Sequence, residues 1–198
     1  MKTRFKLFPV ILTMVLMTGA CATPDPSLTL PQVTFQHAQP LNLAVSRVET
    51  VSDYSSPLKA PNVEQKMDTG PAAAMVIWAN DRLKAVAPSA PVRARMTIER
   101  AAIIETQLAR TEGIKGAFTT DQSHRYDLEI QATVEIVDAA GQRLGHANTR
   151  ATRSQTMPET ATMNDLQQAW FKLMEDGLKD FDREMEANIR RFLATWVR

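Results

Sequence analysis

Residues 124–138 read HRYDLEIQATVEIVD, and the alternation within this stretch decides the fold class. Every second position is apolar, at Tyr126, Leu128, Ile130, Ala132, Val134 and Ile136. Acidic and other polar residues fill the positions between them. A period of two directs alternate side chains to opposite faces of a strand. The stretch therefore predicts a strand with one buried and one solvated face, as in an antiparallel sheet.

Three neighbouring segments predict the rest of the sheet. Residues 142–155 follow an Ala-Ala-Gly turn and complete a hairpin with residues 124–138. Residues 91–108 also alternate, with a break at residues 100–102 that predicts a β-bulge before Ile104 and Thr106 continue the pattern. Residues 41–51 begin with alternation and predict one further strand.

The wet face of this sheet is expected to carry ion pairs. Acidic residues of 124–138 lie opposite Arg93, Arg95 and Arg100 in the predicted pairing. The segment 53–69 has two prolines and no periodicity, which predicts a long loop.

Two helices complete the predicted fold. The first starts at Pro71, with Asp68 and Thr69 as candidate caps, and runs to about Ala87. The second opens at Thr162, with Asp165 three residues later as in a capping box. Its apolar residues recur every three or four positions, at Leu166, Trp170, Leu173, Gly177, Phe181, Met185, Ile189, Phe192 and Trp196. Gly177 on this face predicts a close approach to either the sheet or the first helix.

Together these elements predict an α+β fold. We expect a two-layer sandwich in which two helices cover one face of a four-stranded antiparallel sheet, in the order β-α-β-β-β-α.

The first residues of the chain predict export. Three cations precede an apolar run, Leu7–Met17, which is too short to span a bilayer. The small residues Thr18-Gly19-Ala20 then precede Cys21, the single cysteine of the chain. This ending resembles a bacterial lipobox, with Thr18 standing where leucine is usual. The resemblance implies cleavage between Ala20 and Cys21, followed by attachment of diacylglycerol and an N-acyl chain, such as palmitate, to Cys21. The alternative is an ordinary signal peptide that leaves a free cysteine.

The lipobox interpretation divides the chain into three parts. Residues 1–20 are the signal peptide, residues 21–40 a lipidated cysteine and proline-rich tether, and residues 41–198 a single periplasmic domain. Ala22 follows Cys21 where aspartate is the familiar signal for retention in the inner membrane. By that resemblance, the lipoprotein is expected in the outer membrane rather than the inner one, facing the periplasm.

Composition and motifs argue against catalysis and nucleic-acid binding. Removing residues 1–20 takes away three of 23 cations and none of 22 acids, so residues 21–198 carry 20 against 22, a formal charge of −2. This balance does not recruit phosphates. The histidines, His37, His124 and His146, lack the spacing of metal ligands and are expected at the surface. We therefore expect no catalytic residues, no metal and no cofactor other than the lipid on Cys21.

The connection between the second and third long strands is the candidate contact region. Residues 110–123 are polar and contain glycine, yet they include the large apolar residues Ile114 and Phe118. Either these two side chains fold back onto the core, or they contact a partner protein or lipid.

The arrangement of the whole chain resembles a family of envelope proteins. A lipobox, a proline-rich tether, a small domain of β-α-β-β-β-α order and a long final helix are similar to the ABC-type transport auxiliary lipoproteins of the PqiC type. The lipopolysaccharide-assembly lipoprotein LptE has a similar plan. The resemblance implies a non-enzymatic accessory or adaptor subunit in envelope lipid transport or outer-membrane assembly, with a protein partner. The alternative is a lipoprotein that binds a lipid or small ligand by itself, which requires an apolar pocket between helices and sheet.

Overall fold

The computed structural model describes residues 30–108 and 122–198. Its elements are β1 (Leu41–Leu43), β2 (Val48–Ser52), α1 (Pro71–Arg82), β3 (Leu83–Ala85), β4 (Arg93–Gln107), β5 (Gln122–Val137), β6 (Arg143–Pro158) and α2 (Met163–Phe192). Short 3₁₀ helices lie at Glu64–Lys66 and Ala194–Trp196. The chain is thus a mixed α+β protein, as predicted.

The main sheet has four strands in the order β2-β4-β5-β6. Strands β4, β5 and β6 pair antiparallel, and the predicted hairpin is confirmed by pairs such as Ile130 with Ala151. Strand β2 pairs with β4 in parallel, so the prediction of a purely antiparallel sheet is wrong. The physical reason is the connection, because the chain passes through α1 between β2 and β4, and such crossovers join parallel strands.

The predicted first strand and first helix are both shorter than expected. Residues 41–51 divide into β1 and β2, and β1 pairs in parallel with β3 in a separate two-stranded sheet. Helix α1 ends at Arg82 because the chain then pairs with β1, with the Val86 N–H bonded to the Leu43 carbonyl at 2.9 Å. Gly70 is the N-cap and no side chain caps the helix, so the predicted caps Asp68 and Thr69 are wrong.

A β-bulge interrupts β4 at the predicted place. The register with β5 shifts between Ile98 and Arg100. The extra residue moves Ile103 to the buried face, opposite Leu128, whereas Ile104 and Thr106 lie opposite polar residues of β5. The sequence pattern located the bulge, but the predicted continuation through Ile104 and Thr106 is one residue out of phase with the core.

Both helices pack on the face of the sheet that carries the apolar residues of β5. The ring of Trp78 in α1 meets Phe181 of α2 edge-on, with centroids 5.1 Å apart. The ring of Tyr126 in β5 meets Trp170 of α2 in the same way at 5.5 Å. These contacts join α1, α2 and β5 in one buried cluster.

Helix α2 confirms most of the predicted pattern. The capping box between Thr162 and Asp165 is present. A Cβ atom on Gly177 would collide with the Leu128 side chain, so the absence of a side chain lets the helix lie close to β5. At its other end the helix stops at Phe192, which is exposed, and Leu193 turns into the core instead.

Residues 30–40 pack against the domain through Val33 and Phe35. Phe35 is buried, and its N–H donates to the Asp81 carboxylate of α1 at 2.8 Å. Val33 packs against the same core. The packed unit therefore extends into the segment that precedes Leu41.

Candidate functional site

The four residues that the sequence selects for lipidation, cleavage and partner contact lie outside the described residues. They are Ala20, Cys21, Ile114 and Phe118. His37 and His146 are exposed, and His124 is partly buried beside Glu105, with Nδ1 3.0 Å from a carboxylate oxygen.

The long loop between β2 and α1 is fixed by a buried carboxylate. Glu64 accepts hydrogen bonds from the Tyr54 hydroxyl at 2.5 Å, Ser56 at 2.9 Å and Asn62 at 2.9 Å, and from the Ile103 N–H at 3.2 Å. Burial opposes ionisation of Glu64, but these hydrogen bonds outweigh it and lower its pKa. Burial and the neighbouring Glu64 raise the pKa of Tyr54 to about 12. Both carboxylate oxygens are occupied, so this cluster clamps the loop to β4.

A second charged cluster joins the two helices. Arg82 is 1% exposed, and its Nε donates to Asp182 at 2.6 Å while a terminal nitrogen donates to Glu186. The Trp78 indole N–H also donates to Asp182, at 2.8 Å. The buried guanidinium bonds to a carboxylate on each side, and one of these also accepts from Trp78, which indicates a structural role.

A third cluster lies near the end of β4 and the start of β5. The Tyr126 hydroxyl donates to Glu105 at 2.9 Å. Burial, followed by the effect of Glu105, raises the pKa of Tyr126, which keeps the hydroxyl protonated. Within residues 30–108 and 122–198, no three His, Cys, Asp or Glu side chains form a group that could hold a metal ion.

The open face of the sheet carries the expected ion pairs, with one change of partner. Arg100 of β4 and Arg150 of β6 both reach Glu129 of β5, at 3.4 Å and 2.9 Å. Arg93 and Arg95 pair instead with Glu49 of β2. The sequence pattern missed this partner because it did not place β2 next to β4.

The backbone groups of β6 alternate between β5 and the free edge of the sheet. The Ile98 carbonyl of β4 accepts hydrogen bonds from the N–H groups of Asp53 and Tyr54, which follow β2. The backbone N–H and C=O groups of Ile98 therefore point away from β5. Ala132, which lies opposite Ile98, therefore bonds to Thr149 of β6. Residues of odd number in this part of β6 bond to β5, and residues of even number direct their N–H and C=O groups to the edge.

The same alternation holds along the second half of β6. The Ile103 carbonyl accepts from the Val63 N–H, so the backbone groups of Ile103 point away from β5. Leu128 lies opposite Ile103, and its backbone groups therefore bond to those of Arg153 in β6. Over residues 148–156 of β6, one edge group is bonded within the described chain, since the Asn188 amide of α2 donates to the Asn148 carbonyl at 3.0 Å. At the end of the strand, the Pro158 carbonyl accepts from the Ala161 N–H at 3.1 Å. The described residues thus leave most of the β6 edge without hydrogen-bond partners, and such an edge can pair with another chain.

In the described part of the chain, cavities lie beside α2. Cavities of about 290 Å³ and 160 Å³ adjoin each other between residues 30–37 and the helix, and both are lined by Pro31, Gln32 and Phe171. A third, of about 380 Å³, lies between the start of α2 and the end of β6. The space between α2 and β5 is filled at Gly177, where the helix touches Leu128. Among the described residues, no helix combines the length and apolar character needed to cross a bilayer.

Neither a family model nor a curated protein sequence matches the chain. Among solved structures, a minor lipoprotein of Acinetobacter baumannii is 15% identical, with a TM-score of 0.38 over 76% of this chain and 96% of that one. A candidate lipoprotein of Caulobacter crescentus is 12% identical, with a TM-score of 0.33 over 72% and 84% of the two chains. A Xanthomonas campestris protein of the DUF330 family is 11% identical, with a TM-score of 0.30 over 78% and 94%.

The structural neighbours thus include bacterial lipoproteins. Identities below 25% and TM-scores below 0.5 do not carry an argument about fold or function.

Proposed function

We propose that this chain is a membrane-anchored, periplasm-facing lipoprotein that acts as a non-enzymatic adaptor in envelope lipid transport or outer-membrane assembly. The observation that carries the adaptor role is the outer edge of β6, where much of the backbone has no hydrogen-bond partner among residues 30–108 and 122–198. Adding a strand to such an edge is a common mode of protein recognition.

The sequence supports the anchor. Cleavage before Cys21 and acylation of its thiol and amino group would supply more than one acyl chain, which stable membrane attachment requires. Ala22 favours sorting to the outer membrane, and the resemblance to PqiC-type auxiliary lipoproteins favours a transport complex as the partner. Ile114 and Phe118 are proposed as a second contact with that partner.

The experiment that tests this function is crosslinking in native membranes, followed by purification through a C-terminal tag and identification of proteins and lipids. Recovery of transporter subunits or of an outer-membrane assembly component supports the adaptor role. The Cys21→Ser variant is the control, because it retains the domain and loses the proposed anchor. Recovery of the chain without any protein partner would contradict the proposal.

A second candidate function is that of a lipoprotein that binds a lipid or small ligand by itself. The adjoining cavities beside Phe171 favour it, since together they form a partly apolar groove along α2. The filled contact between Gly177 and Leu128 disfavours a pocket between helix and sheet. Purification of the chain alone with one bound lipid per molecule would support this second function.

A further inference from the structure

We propose that an extended, acidic segment of the partner protein binds along β6 from Arg150 to Thr156 as a fifth strand of the main sheet. This inference rests on the adaptor function and adds to it the place and the chemistry of the contact. Three features support it: the position of β6 at the edge of the described sheet, the backbone groups there that no described residue reaches, and the charge of the strand.

The position follows from what already occupies the edge. Asn188 bonds to the Asn148 carbonyl and so caps the edge at that point. Beyond it, Arg150, Thr152, Ser154 and Thr156 have their backbone groups directed outward, and no hydrogen bond from the described residues reaches them. Four such positions cover seven residues, or roughly 23 Å of strand at 3.3 Å per residue. This length matches an ordinary β-strand.

The charge of β6 selects an acidic partner. The strand reads RLGHANTRATRSQTMP, which contains three arginines and one histidine but neither aspartate nor glutamate. The side chains of Arg150 and Arg153 are 59% and 47% exposed, and each has one carboxylate partner, Glu129 and Asp180 respectively. A guanidinium has five N–H donors, so each arginine can donate hydrogen bonds to a further carboxylate from an added strand.

The same charge disfavours a second copy of this chain at the edge. If β6 paired with β6 of another copy, two basic strands would lie side by side, and neither has a carboxylate to offset the charge of the other. An antiparallel pairing centred on Arg150 would place this residue opposite its own copy, and like charges directly opposite are destabilising. An acidic strand from another protein avoids this repulsion.

The test uses the purified full chain and two defined peptides. The acidic probe is Thr-Glu-Val-Glu-Val-Glu-Thr, and the control replaces each glutamate by lysine. We expect the acidic peptide to bind at least tenfold more tightly, and to slow amide hydrogen exchange at Arg150, Thr152 and Ser154. Amides of Ala151 and Arg153 already bond to β5, so their exchange should be slow with or without peptide. Equal binding of the two peptides, or unchanged exchange at the edge amides at saturating acidic peptide, overturns the proposal.

Matched variants at one position separate edge pairing from folding. Thr152→Pro removes an outward N–H, which an edge strand tolerates, whereas Thr152→Ala keeps it. The proline variant should lose at least tenfold in affinity for the acidic peptide at an unchanged Tm, and the alanine variant should bind normally. If Thr152→Pro fails to fold, Arg150→Glu replaces it and should invert the preference, so that the lysine peptide binds more tightly. Unaltered preference in Arg150→Glu overturns the proposal.

Further outcomes distinguish this inference from the adaptor function. Edge protection that rises with protein concentration, without peptide, would assign the edge to a second copy and overturn the inference. Co-purification of the membrane partner with the folded Thr152→Pro variant would leave the adaptor function standing and refute the edge as its contact. Recovery of the wild-type chain alone would refute the adaptor function, whatever the peptides show.

Discussion

The buried arginine between the two helices gives the sharpest test of the packing. Replacing Arg82 by methionine keeps most of the side-chain volume but removes the donors to Asp182 and Glu186. Arg190→Met is a matched control, since Arg190 donates to the same Glu186 at 2.8 Å from a side chain that is half exposed.

The expected magnitude follows from burial. Breaking a fully buried ion pair costs about 3–5 kcal/mol, because the remaining charge is left without a partner. Here the remaining carboxylates of Asp182 and Glu186 are 21% and 33% exposed, and Asp182 keeps the Trp78 N–H. We therefore expect Arg82→Met to lower the free energy of unfolding by about 2 kcal/mol. Arg190→Met should lower it by at most about 0.5 kcal/mol, as for an exposed helical pair.

The assay is urea or thermal unfolding of the purified variants. A loss of about 2 kcal/mol should lower Tm by roughly 4–8 °C in a domain of this size. Burial opposes ionisation of Glu186, but hydrogen bonds from Arg190 and Arg82 outweigh it and lower its pKa from the ordinary value of 4.5. A carboxylate whose pKa is lowered by folding stabilises the protein at pH values above its ordinary pKa. This stabilisation is lost as the pH falls through the pKa of the folded state. The difference in free energy of unfolding between wild type and Arg82→Met should therefore become smaller below about pH 4.5.

Two results would refute this reasoning. One is an equal Tm for Arg82→Met and Arg190→Met at neutral pH. The other is a gap between wild type and Arg82→Met that stays constant on acidification.

Three further predictions concern the anchor, the loop and the proposed contact. Cys21→Ser should move the protein from the membrane to the soluble fraction on cell fractionation; retention in the membrane would refute the lipoprotein assignment. Glu64→Gln should lower the free energy of unfolding by about 1–3 kcal/mol at pH 7, because a neutral amide cannot accept from all four donors. The loss, read from urea midpoints, should shrink as pH falls through the lowered pKa of Glu64, and equal midpoints at pH 7 would contradict it. Phe118→Ala should reduce co-purification of the partner at an unchanged Tm, whereas a large fall in Tm would place Phe118 in the core.

Local patterns predicted the elements that depend on nearby residues. The alternation of residues 124–138 identified β5, and the spacing of Thr162 and Asp165 identified the capping box of α2. The basic character of β6 was also visible in the sequence, in three arginines without an acid, but its meaning depends on the strand being at an edge. The Glu64 cluster could not be predicted, because its donors come from a loop without periodicity and from the backbone of β4.

By itself, the sequence determined the α+β class and the hairpin, because each follows from periodicity along a short stretch. The export signal stays a prediction from the order of residues at the start of the chain. Only the tertiary structure decided that β2 lies parallel to β4, that α1 stops at Arg82, and that β6 is the outer strand of the described four-stranded sheet. These features depend on pairings between residues far apart in the chain. Such pairings depend on hydrogen bonds and charges of residues that are distant in the sequence, so a local sequence pattern does not predict them.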